Sequence, residues 1–341
     1  MNYGRSYSAT WRVYRVNRDT WADREQIRNV DLVRVTRTAK GKLIESGSIE
    51  LTGDFEPDYY RIVMTAEQGG EVERVNVATL LFDTKDGNSD YGRNVQTADG
   101  YSVLHPASTT AMIAGEYAPA GVDGAQYAAK LLRETINAPV EVEGSFTLNE
   151  HIVHKIGCWV IDAVWSVLEA GGFVMQIDGR GVVHIRPKPT EPSLVLSNNS
   201  IRLLTNNVSN TTDLSSIPNR YVVIDENNRT VAENNDPQSE VSTVCRGYCV
   251  DRVDESPKPV NGETYGAYAE RRLEEESVMK EERSYTREYA PDVYIFSLIR
   301  ASIDGFEGNY RVTSQTLKCD KGITISEKAE REIKLWRNRI T

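Results

Sequence analysis

The 341-residue sequence predicts an α+β protein that is mainly β, in which two β-rich parts flank a small α/β insert. Three observations predict this class. Short segments that alternate apolar and polar residues fill the first third, two segments with helical periodicity follow, and alternating segments then resume. The length fits two or three domains. We place them at residues 1–107, 108–190 and 191–341.

The first part predicts six short antiparallel strands. They alternate with period two and end at Gly, Asp or Asn: WRVYRV, NVDLVRVTRT, SGSIELTGD, YYRIVMTAEQ, EVERVNVATLLF and GYSVL. This density of strands and turns is typical of a barrel or sandwich that is closed or nearly closed. The acidic stretch FDTKDGNSDYGRN predicts the tip of a long hairpin, with Asp86-Gly87 as its turn.

The insert predicts two helices and a hairpin. The first helix covers residues 123–137 with Asp123 as its N-cap. The second begins at a capping box, Thr147 to Glu150, and ends at Gly171-Gly172. Its apolar face would comprise Ile152, Ile156, Trp159, Val160, Ala163, Val167 and Leu168. The segment FVMQIDGRGVVHIRPKP then predicts a β-hairpin.

The third part predicts strands again, with one helix among them. The alternating segments before the helix are SLVLS, SIRLL, PNRYVVIDE, RTVAEN and VSTVCRGYCV. The segment ETYGAYAERRLEEESVMK predicts a charged helix whose thin apolar stripe is Tyr265, Tyr268, Ala269 and Leu273. Three further strands follow, in REYAPDVYIFSLIRAS, GNYRVTSQTLKC and GITISEKAER.

One motif resembles a metal site, because His151, His154 and Cys158 lie within eight positions of one another. Two imidazoles and a thiolate are legitimate zinc ligands. The first coordination shell is incomplete, however, and the chain has no second Cys/His cluster with metal spacing. We therefore interpret Cys158 as a small buried apolar residue and the histidines as polar residues in a partly exposed first helical turn. We predict no metal and no cofactor.

Catalytic motifs are also missing from the sequence, which has no nucleophile elbow, phosphate-binding loop or dinucleotide fingerprint. A cysteine hydrolase would have to pair Cys158 or Cys319 with His105 or His184, and nothing local supports such a pair. The spacing of Cys245 and Cys249 matches no redox or zinc motif, so we interpret both as half-buried strand residues. We predict that the protein is not an enzyme and has no catalytic residues.

Composition excludes further classes. Acidic residues exceed basic ones by ten, 50 against 40, which argues against tight binding to nucleic acid. The sequence has no apolar run long enough for a membrane span and no secretory signal, so we predict synthesis in a cytoplasm and no membrane anchor.

The middle of the sequence resembles phage tail baseplate hub proteins. The resemblance lies in AGEYAPAGVDGAQYAAKLLRETINAP and LNEHIVHKIGCWVIDAVWSVLEAGGFVMQIDGRGVVHIRPKP, followed by a PNRYVVI strand, a helix and DVYIFSLIRASIDGFEGNYRVTSQTLKCDKGITIS. The order of helices and strands agrees over most of the chain, whereas the specific sequence resemblance covers about a quarter of it. One departure is Ala290-Pro291-Asp292, where the family has Pro-Gly-Asp.

The resemblance implies a fold of two tube-like antiparallel β-barrels flanking the α/β insert, and a virion protein of the tail baseplate. Such hubs are homotrimers that join the hexameric tail tube to a trimeric spike or fibre, contact the tape-measure protein and form part of the DNA ejection channel. The expected partners are therefore a second copy of the chain, the tail tube and distal tail proteins, the tape measure, the spike or fibre, and passing DNA without specific binding. An acidic channel wall lets DNA slide, so we predict that Asp83, Asp86 and Asp90 face the lumen.

Two alternatives stay open at this point. One is a tail-associated peptidoglycan hydrolase. The other is a carbohydrate-binding tail tip protein, which the 17 tyrosines and five tryptophans would suit.

Overall fold

The computed structural model describes residues 1–336 except 54–55, 91–92, 193, 198–202, 205–208, 213, 226–227, 256, 258–262, 292 and 304–305. At 84–90, 93–94, 209–212 and 228 it describes the backbone alone.

The strands are numbered in chain order. Those of the first third are β1 Ser8–Val16, β2 Asp23–Ile27, β3 Val30–Thr38, β4 Glu45–Thr52, β5 Asp58–Gln68, β6 Glu71–Asp90 and β7 Arg93–Tyr101. Those of the middle are β8 Tyr117–Ala118, β9 Val140–Val142, β10 Ile152–Val153, β11 Phe173–Ile177 and β12 Val183–Pro187. Those of the last part are β13 Leu194–Ser197, β14 Ser209–Thr212, β15 Arg220–Asp225, β16 Asn228–Glu233, β17 Asp251–Asp254, β18 Val278–Glu288, β19 Leu298–Ile303, β20 Phe306–Cys319 and β21 Ile323–Lys334.

The helices are short and lie between these strands. They are α1 His105–Thr109, α2 Gly124–Arg133, α3 Val160–Ala170, α4 Thr243–Arg246 and α5 Tyr265–Glu276. The chain divides into two compact units, which we call unit 1 and unit 2. Unit 1 comprises Met1–Val208 and Ser284–Ala329, and unit 2 comprises Ser209–Arg283 and Glu330–Thr341.

A large, mostly antiparallel sheet dominates unit 1. Its strands are hydrogen-bonded in the order β2, β1, β5, β6, β7, β4, β3, β20, β21 and β18, and β19 pairs with both β20 and β13. The prediction of a mainly β, α+β protein is confirmed. The two closed barrels are not, because within the described residues this order of strands is open.

One pairing joins strands from the two ends of the sequence. β3 and β20 run antiparallel, with Thr38 opposite Ser314 and Val33 opposite Cys319. Val33, Leu317 and Cys319 are all fully buried in one apolar cluster of the sheet. The first and third parts of the sequence therefore contribute strands to one sheet, since neither β3 nor β20 buries this apolar surface alone.

Five of the six predicted strands of the first part are present, and three details differ. Of the predicted strand GYSVL, only Gly100 and Tyr101 lie in a strand, at the end of β7. β2 was missed because DREQI has few apolar residues and lies at the sheet edge. The long hairpin is confirmed as β6 and β7, but the prediction of an Asp86-Gly87 turn is wrong. Asp86 lies opposite Thr97 and Gly87 opposite Gln96, so both belong to the strand.

In the insert, α2 and the hairpin β11–β12 confirm the prediction. The Asp123 side chain accepts hydrogen bonds from the backbone N–H groups of Ala125 and Gln126, which would otherwise lack partners in the first turn. β12 also pairs in parallel with β9, which completes a three-stranded sheet. The helices α2 and α3 pack their buried faces into the same apolar cluster as this sheet.

The predicted start of the second insert helix is wrong. α3 begins at Val160 with Trp159 at the N-cap, whereas residues 147–158 form extended and turn structure. Thr147 bridges to Asp123 rather than capping a helix. The physical cause is Gly157, whose φ of +84° lies outside the helical region and ends the preceding segment. Only the C-terminal half of the predicted apolar face is buried, at Val160, Ala163, Val167 and Leu168.

In unit 2, α5 packs on a three-stranded sheet in the order β16, β15, β17. The Thr264 hydroxyl caps α5, and the predicted stripe residues Tyr268, Ala269 and Leu273 are buried against Tyr221 and Val223.

The predicted strand VSTVCRGYCV is wrong, because it contains α4, which Ser242 caps and Gly247 ends in the left-handed conformation. Cys245 and Cys249 are consequently exposed rather than half-buried.

Candidate functional site

The residues of the suspected metal motif serve the local fold. His151 is exposed, and its Nδ1 accepts a hydrogen bond of 3.1 Å from the Ala120 N–H. His154 is buried and stacks on Tyr127, and burial lowers the pKa of its imidazole. Cys158 is half-buried against the core of the insert. Within the described part of the chain, no group of three or more His, Cys, Asp or Glu side chains is placed to hold a metal ion.

The cysteine and histidine residues considered for hydrolysis are poorly suited to it. Cys319 is buried in β20, and burial raises the pKa of its thiol to about 12, so the nucleophilic thiolate is disfavoured at neutral pH. His105 stacks on Tyr101.

His184 stands on β12 among three carboxylates. Its Nε2 lies 3.5 Å from Asp178 Oδ2, and its Nδ1 lies 3.3 Å from Glu143 Oε1 and 3.5 Å from Glu141 Oε2. The hydrogen bond to Asp178 raises the pKa of His184 against the opposing effect of burial, and the three negative charges add to the rise. This cluster ties the hairpin to β9, a role that the sequence did not reveal.

The three aspartates predicted to face a lumen all belong to β6. Asp83 is exposed and directly follows the buried Phe82. The side chains of Asp86 and Asp90 lie outside the described residues. The orientation of these aspartates toward a channel stays a prediction.

Among the described residues, an exposed apolar surface is formed by two adjacent segments, 110–118 and 151–159, which we call the apolar flap. Large apolar side chains that point to solvent there are Ile113, Tyr117, Val153, Ile156 and Trp159, with exposed fractions of 89, 52, 76, 72 and 46 %. Contiguous apolar patches of this kind on soluble proteins mark interaction sites more often than chance exposure does.

Backbone pairing holds the flap in shape. β8 and β10 pair with Tyr117 opposite Val153, and Ala111 bridges to Trp159. Between these points, the Gly157 N–H donates to the Met112 carbonyl at 2.8 Å. The flap is therefore a hydrogen-bonded element with a fixed outer face.

The inner face of the flap packs on the insert core. Ala118, Met112 and His154 are buried, and Ile152 is partly buried against the same cluster. Because successive residues of a strand point to opposite faces, burial of Ala118 and Ile152 places Tyr117 and Val153 outward. The exposure of the outer residues thus follows from the anchoring of the inner ones.

Sequence reasoning missed the flap because it assigned Ile152, Ile156 and Trp159 to the buried face of a helix. Gly157 was the signal against that assignment, since a glycine inside a helical pattern weakens it. A second signal was the scarcity of charge, because Glu116 and Lys155 are the only Asp, Glu, Lys or Arg residues of the two segments.

Among the described residues, no helix combines the length and the apolar character that crossing a membrane would require.

Comparisons with known proteins address the whole chain. No protein-family model matches the sequence, and no curated protein matches it. The structure, however, is similar to a tail protein from Neisseria meningitidis, with a TM-score of 0.63, 11 % identity and coverage of 95 % of this chain and 96 % of the other.

Two further solved structures are similar. The 43 kDa tail protein of prophage MuSo2 from Shewanella oneidensis has a TM-score of 0.64 at 11 % identity, with coverage of 94 % of this chain and 97 % of the other. A chain of the Francisella PdpA–VgrG complex has a TM-score of 0.55 at 7 % identity, and the match covers 98 % of this chain and 60 % of that one.

The first two likenesses span nearly the full length of both tail proteins. At such low identity they establish the fold and not the activity. The resemblance inferred from the sequence is thereby confirmed at the level of the fold, and the chain has the fold of these two tail proteins.

Proposed function

We propose that the protein is the central hub of a phage or phage-like tail baseplate. In this role it is a homotrimer that joins the hexameric tail tube to a trimeric spike or fibre and forms part of the DNA ejection channel. The observation that carries the proposal is the similarity to two tail proteins, one of them from a prophage, along at least 94 % of the chain. Its other partners would be distal tail proteins and the tape-measure protein, and its location the virion tail.

The large sheet supports this proposal. A ring that continues a six-fold tube requires two similar wall segments from each of three subunits. We assign these segments to residues 1–107 and 191–341, with residues 108–190 as the insert. The pairing of β3 with β20 joins strands from both segments in one sheet, as a continuous wall requires.

The acidic balance supports a channel role. The chain carries a formal net charge of −10, and basic walls would retain DNA by binding its phosphates. We assign Asp83, Asp86 and Asp90 to the lumen, where negative charge lets the duplex pass without binding.

We infer a structural rather than enzymatic role. The proteins of similar fold named above include two tail proteins. Among the candidate nucleophiles, the one fully buried cysteine, Cys319, is held in its thiol form.

Light scattering on the purified protein tests the proposal, together with assays for turnover of peptidoglycan and of saccharides. We expect three times the mass of one chain and no turnover. A monomer that degrades cell wall would contradict the proposed function.

A further inference from the structure

We propose that a cavity in unit 1 binds an acidic segment of a partner protein that presents an aromatic side chain. The cavity is bounded by the β3–β4 loop, α3, the start of β11 and the segment before β19, and its volume is about 400 Å³. We call it the lysine pocket, and its lining includes Lys40, Lys42, Trp165, Phe173, Lys188 and Phe296. The inference goes beyond the proposed function, because it requires neither a trimer nor a channel.

The size of the pocket suits a short anchoring segment. Ligand pockets in proteins have volumes of about 300–1,000 Å³, so this one lies at the lower end of the range. Interfaces between proteins are commonly anchored by one aromatic side chain that fills such a pocket. A side chain with its immediate neighbours therefore matches the cavity better than a large cofactor does.

Aromatic rings form the apolar part of the lining. Phe173 and Phe296 are buried, and Trp165 is half-buried beside them. The ring centroids of Trp165 and Phe296 lie 6.5 Å apart, and their planes are inclined by 55°. Because tilted and edge-to-face contacts between rings are favourable at such distances, this lining favours a further aromatic ring in the cavity.

Hydrogen bonds fix two walls of the pocket. Trp165 Nε1 donates to the Lys42 carbonyl at 3.0 Å, which ties the β3–β4 loop to α3. The Lys188 N–H donates to the Gly172 carbonyl at 3.0 Å, which ties the end of the hairpin to the start of β11. A ligand therefore does not have to order these walls, and the free-energy cost of binding is correspondingly low.

Phe296 has a strained backbone. Its φ of +66° lies in the left-handed region, which is unfavourable for a residue with a side chain. The Phe296 N–H donates to the Val312 carbonyl at 2.8 Å, and its carbonyl accepts from Arg311 Nη1 at 2.9 Å. Residues held in this way are concentrated at binding sites. The strain is thus a second indication, independent of the cavity, that this wall has a function.

The charge of the lining determines the ligand class. The three lysines face one acidic lining residue, Glu169, and Lys42 pairs with Asp162 at 2.6 Å. Three positive charges against Glu169 and Asp162 leave a local balance of +1, in a chain whose net charge is −10. The Lys188 side chain is exposed and has no ion-pair partner within the described part of the chain. A carboxylate of the ligand would gain this partner without displacing another.

Nucleic acid also combines negative charge with rings, but the whole chain disfavours it. A strand of DNA carries many phosphates past any single pocket, and the remaining surface of this acidic chain repels them. A peptide brings only one or two carboxylates beside its ring. The pocket therefore selects an Asp- or Glu-flanked Phe, Tyr or Trp.

The first test selects random displayed peptides on the immobilised full chain after depletion on the Lys188→Glu variant. We expect enrichment of peptides in which Phe, Tyr or Trp stands next to Asp or Glu. No enrichment, or enrichment of basic peptides, would overturn the proposal.

The second test measures the affinity of the most enriched peptide, with a fluorescent label, by anisotropy. Lys188→Glu should weaken binding about tenfold, since it places a like charge beside the peptide carboxylate. Glu169→Lys should strengthen binding, since it removes the acidic residue of the lining. Lys321→Glu is the control, because Lys321 is an exposed lysine outside the pocket, and it should leave the affinity unchanged. Circular dichroism checks that all three exposed positions tolerate the change.

Equal affinities for Lys188→Glu and Lys321→Glu would overturn the proposal, as would unchanged binding of a peptide whose aromatic residue is replaced by Ala. Displacement of the peptide by a single-stranded DNA oligonucleotide at equal concentration would show a nucleic-acid site instead. A mass by light scattering that falls in Lys188→Glu and not in Lys321→Glu would show that the pocket holds a second copy of this chain. If the peptide binds as expected while the wild type is a monomer, the pocket stands and the trimer of the proposed function fails.

Discussion

At the residue scale, two histidines of the insert respond to pH in opposite directions. The hydrogen bond that the His184 ring donates to Asp178 raises the pKa of His184, so its protonated form stabilises the fold. Burial lowers the pKa of His154, so its neutral form is the one the fold favours. An unperturbed histidine has a pKa near 6.5. The contribution of His184 is therefore complete below about pH 6.5, and it is lost as pH rises through the higher folded pKa.

We expect the His184→Gln variant to lack this decrease in stability with rising pH. The wild type should be more stable than the variant near pH 6, and the two should converge as pH rises above the folded pKa of His184, because Glu141, Glu143 and Asp178 then face a neutral imidazole. Melting temperatures measured between pH 6 and pH 9 provide the comparison.

His154→Gln is the matched variant for this measurement. We expect this substitution to change the stability at acid pH, because the buried imidazole of the wild type must take up a proton as pH falls below about 6.5. Equal pH profiles for wild type and His184→Gln above pH 6.5 would show that the carboxylate cluster does not hold a protonated histidine.

At the scale of elements, the tip of the β11–β12 hairpin anchors the insert to the large sheet. The Arg180 carbonyl accepts hydrogen bonds from Trp21 Nε1 at 2.7 Å and from Arg61 Nη2 at 3.0 Å. The Gly179 carbonyl accepts one from the Thr79 hydroxyl at 3.0 Å. This contact brings the backbone of Gly179 so close to β6 that it leaves no space for a side chain.

Gly179→Ala should therefore loosen the insert. A Cβ at this position would lie 1.8 Å from the Asn76 carbonyl oxygen, which belongs to the backbone and cannot move aside. Overpacking of this kind costs about 1–3 kcal/mol, and we expect a lower midpoint of urea denaturation.

Gly322→Ala is the control, because a Cβ there would meet nothing within 4 Å. A Gly179→Ala variant as stable as Gly322→Ala would mean that the hairpin tip does not dock as described.

Local chemistry made some elements predictable and others not. The Asp123 cap, the hairpin around Asp178 and the apolar stripe of α5 all depend on residues close in sequence, and all were predicted correctly. The flap was mistaken for a helix because apolar residues three or four apart satisfy helical periodicity wherever they lie. The positive φ of Gly157 is incompatible with a helix at this position, and the spacing of apolar residues gives no information about that backbone angle.

At the scale of the whole molecule, the sequence predicted a mainly β, α+β protein but not how its strands join. Val33 and Cys319 face each other across β3 and β20 although nearly the whole chain separates them. Alternation shows that a strand has a buried face, but it does not identify the neighbouring strand. The exposed face of the flap could likewise not be predicted, because tertiary packing brings its five residues together.

We expect that a fragment of residues 1–190 does not fold as the same part does in the full chain. It lacks β20, so β3 keeps an unpaired edge, and the apolar cluster of the sheet loses Leu317 and Cys319. Such an edge promotes aggregation. Size-exclusion chromatography and thermal unfolding should show an aggregated or non-cooperative fragment beside a cooperative full chain. A monomeric fragment that unfolds cooperatively would contradict this.

The pairing of Thr38 with Ser314 also means that the large sheet can be completed only late in protein synthesis. A ribosome that adds about 5–20 residues per second needs roughly 15–55 s to travel from one to the other, whereas a hairpin closes in about 1–10 μs. The edge of β3 that pairs with β20 in the complete protein therefore has no partner for most of translation. Nascent chains on the same messenger RNA expose the same unpaired edge of β3 at the same time. A chaperone that covers this edge should therefore raise the yield of correctly folded protein more than faster pairing of β3 with β20 would.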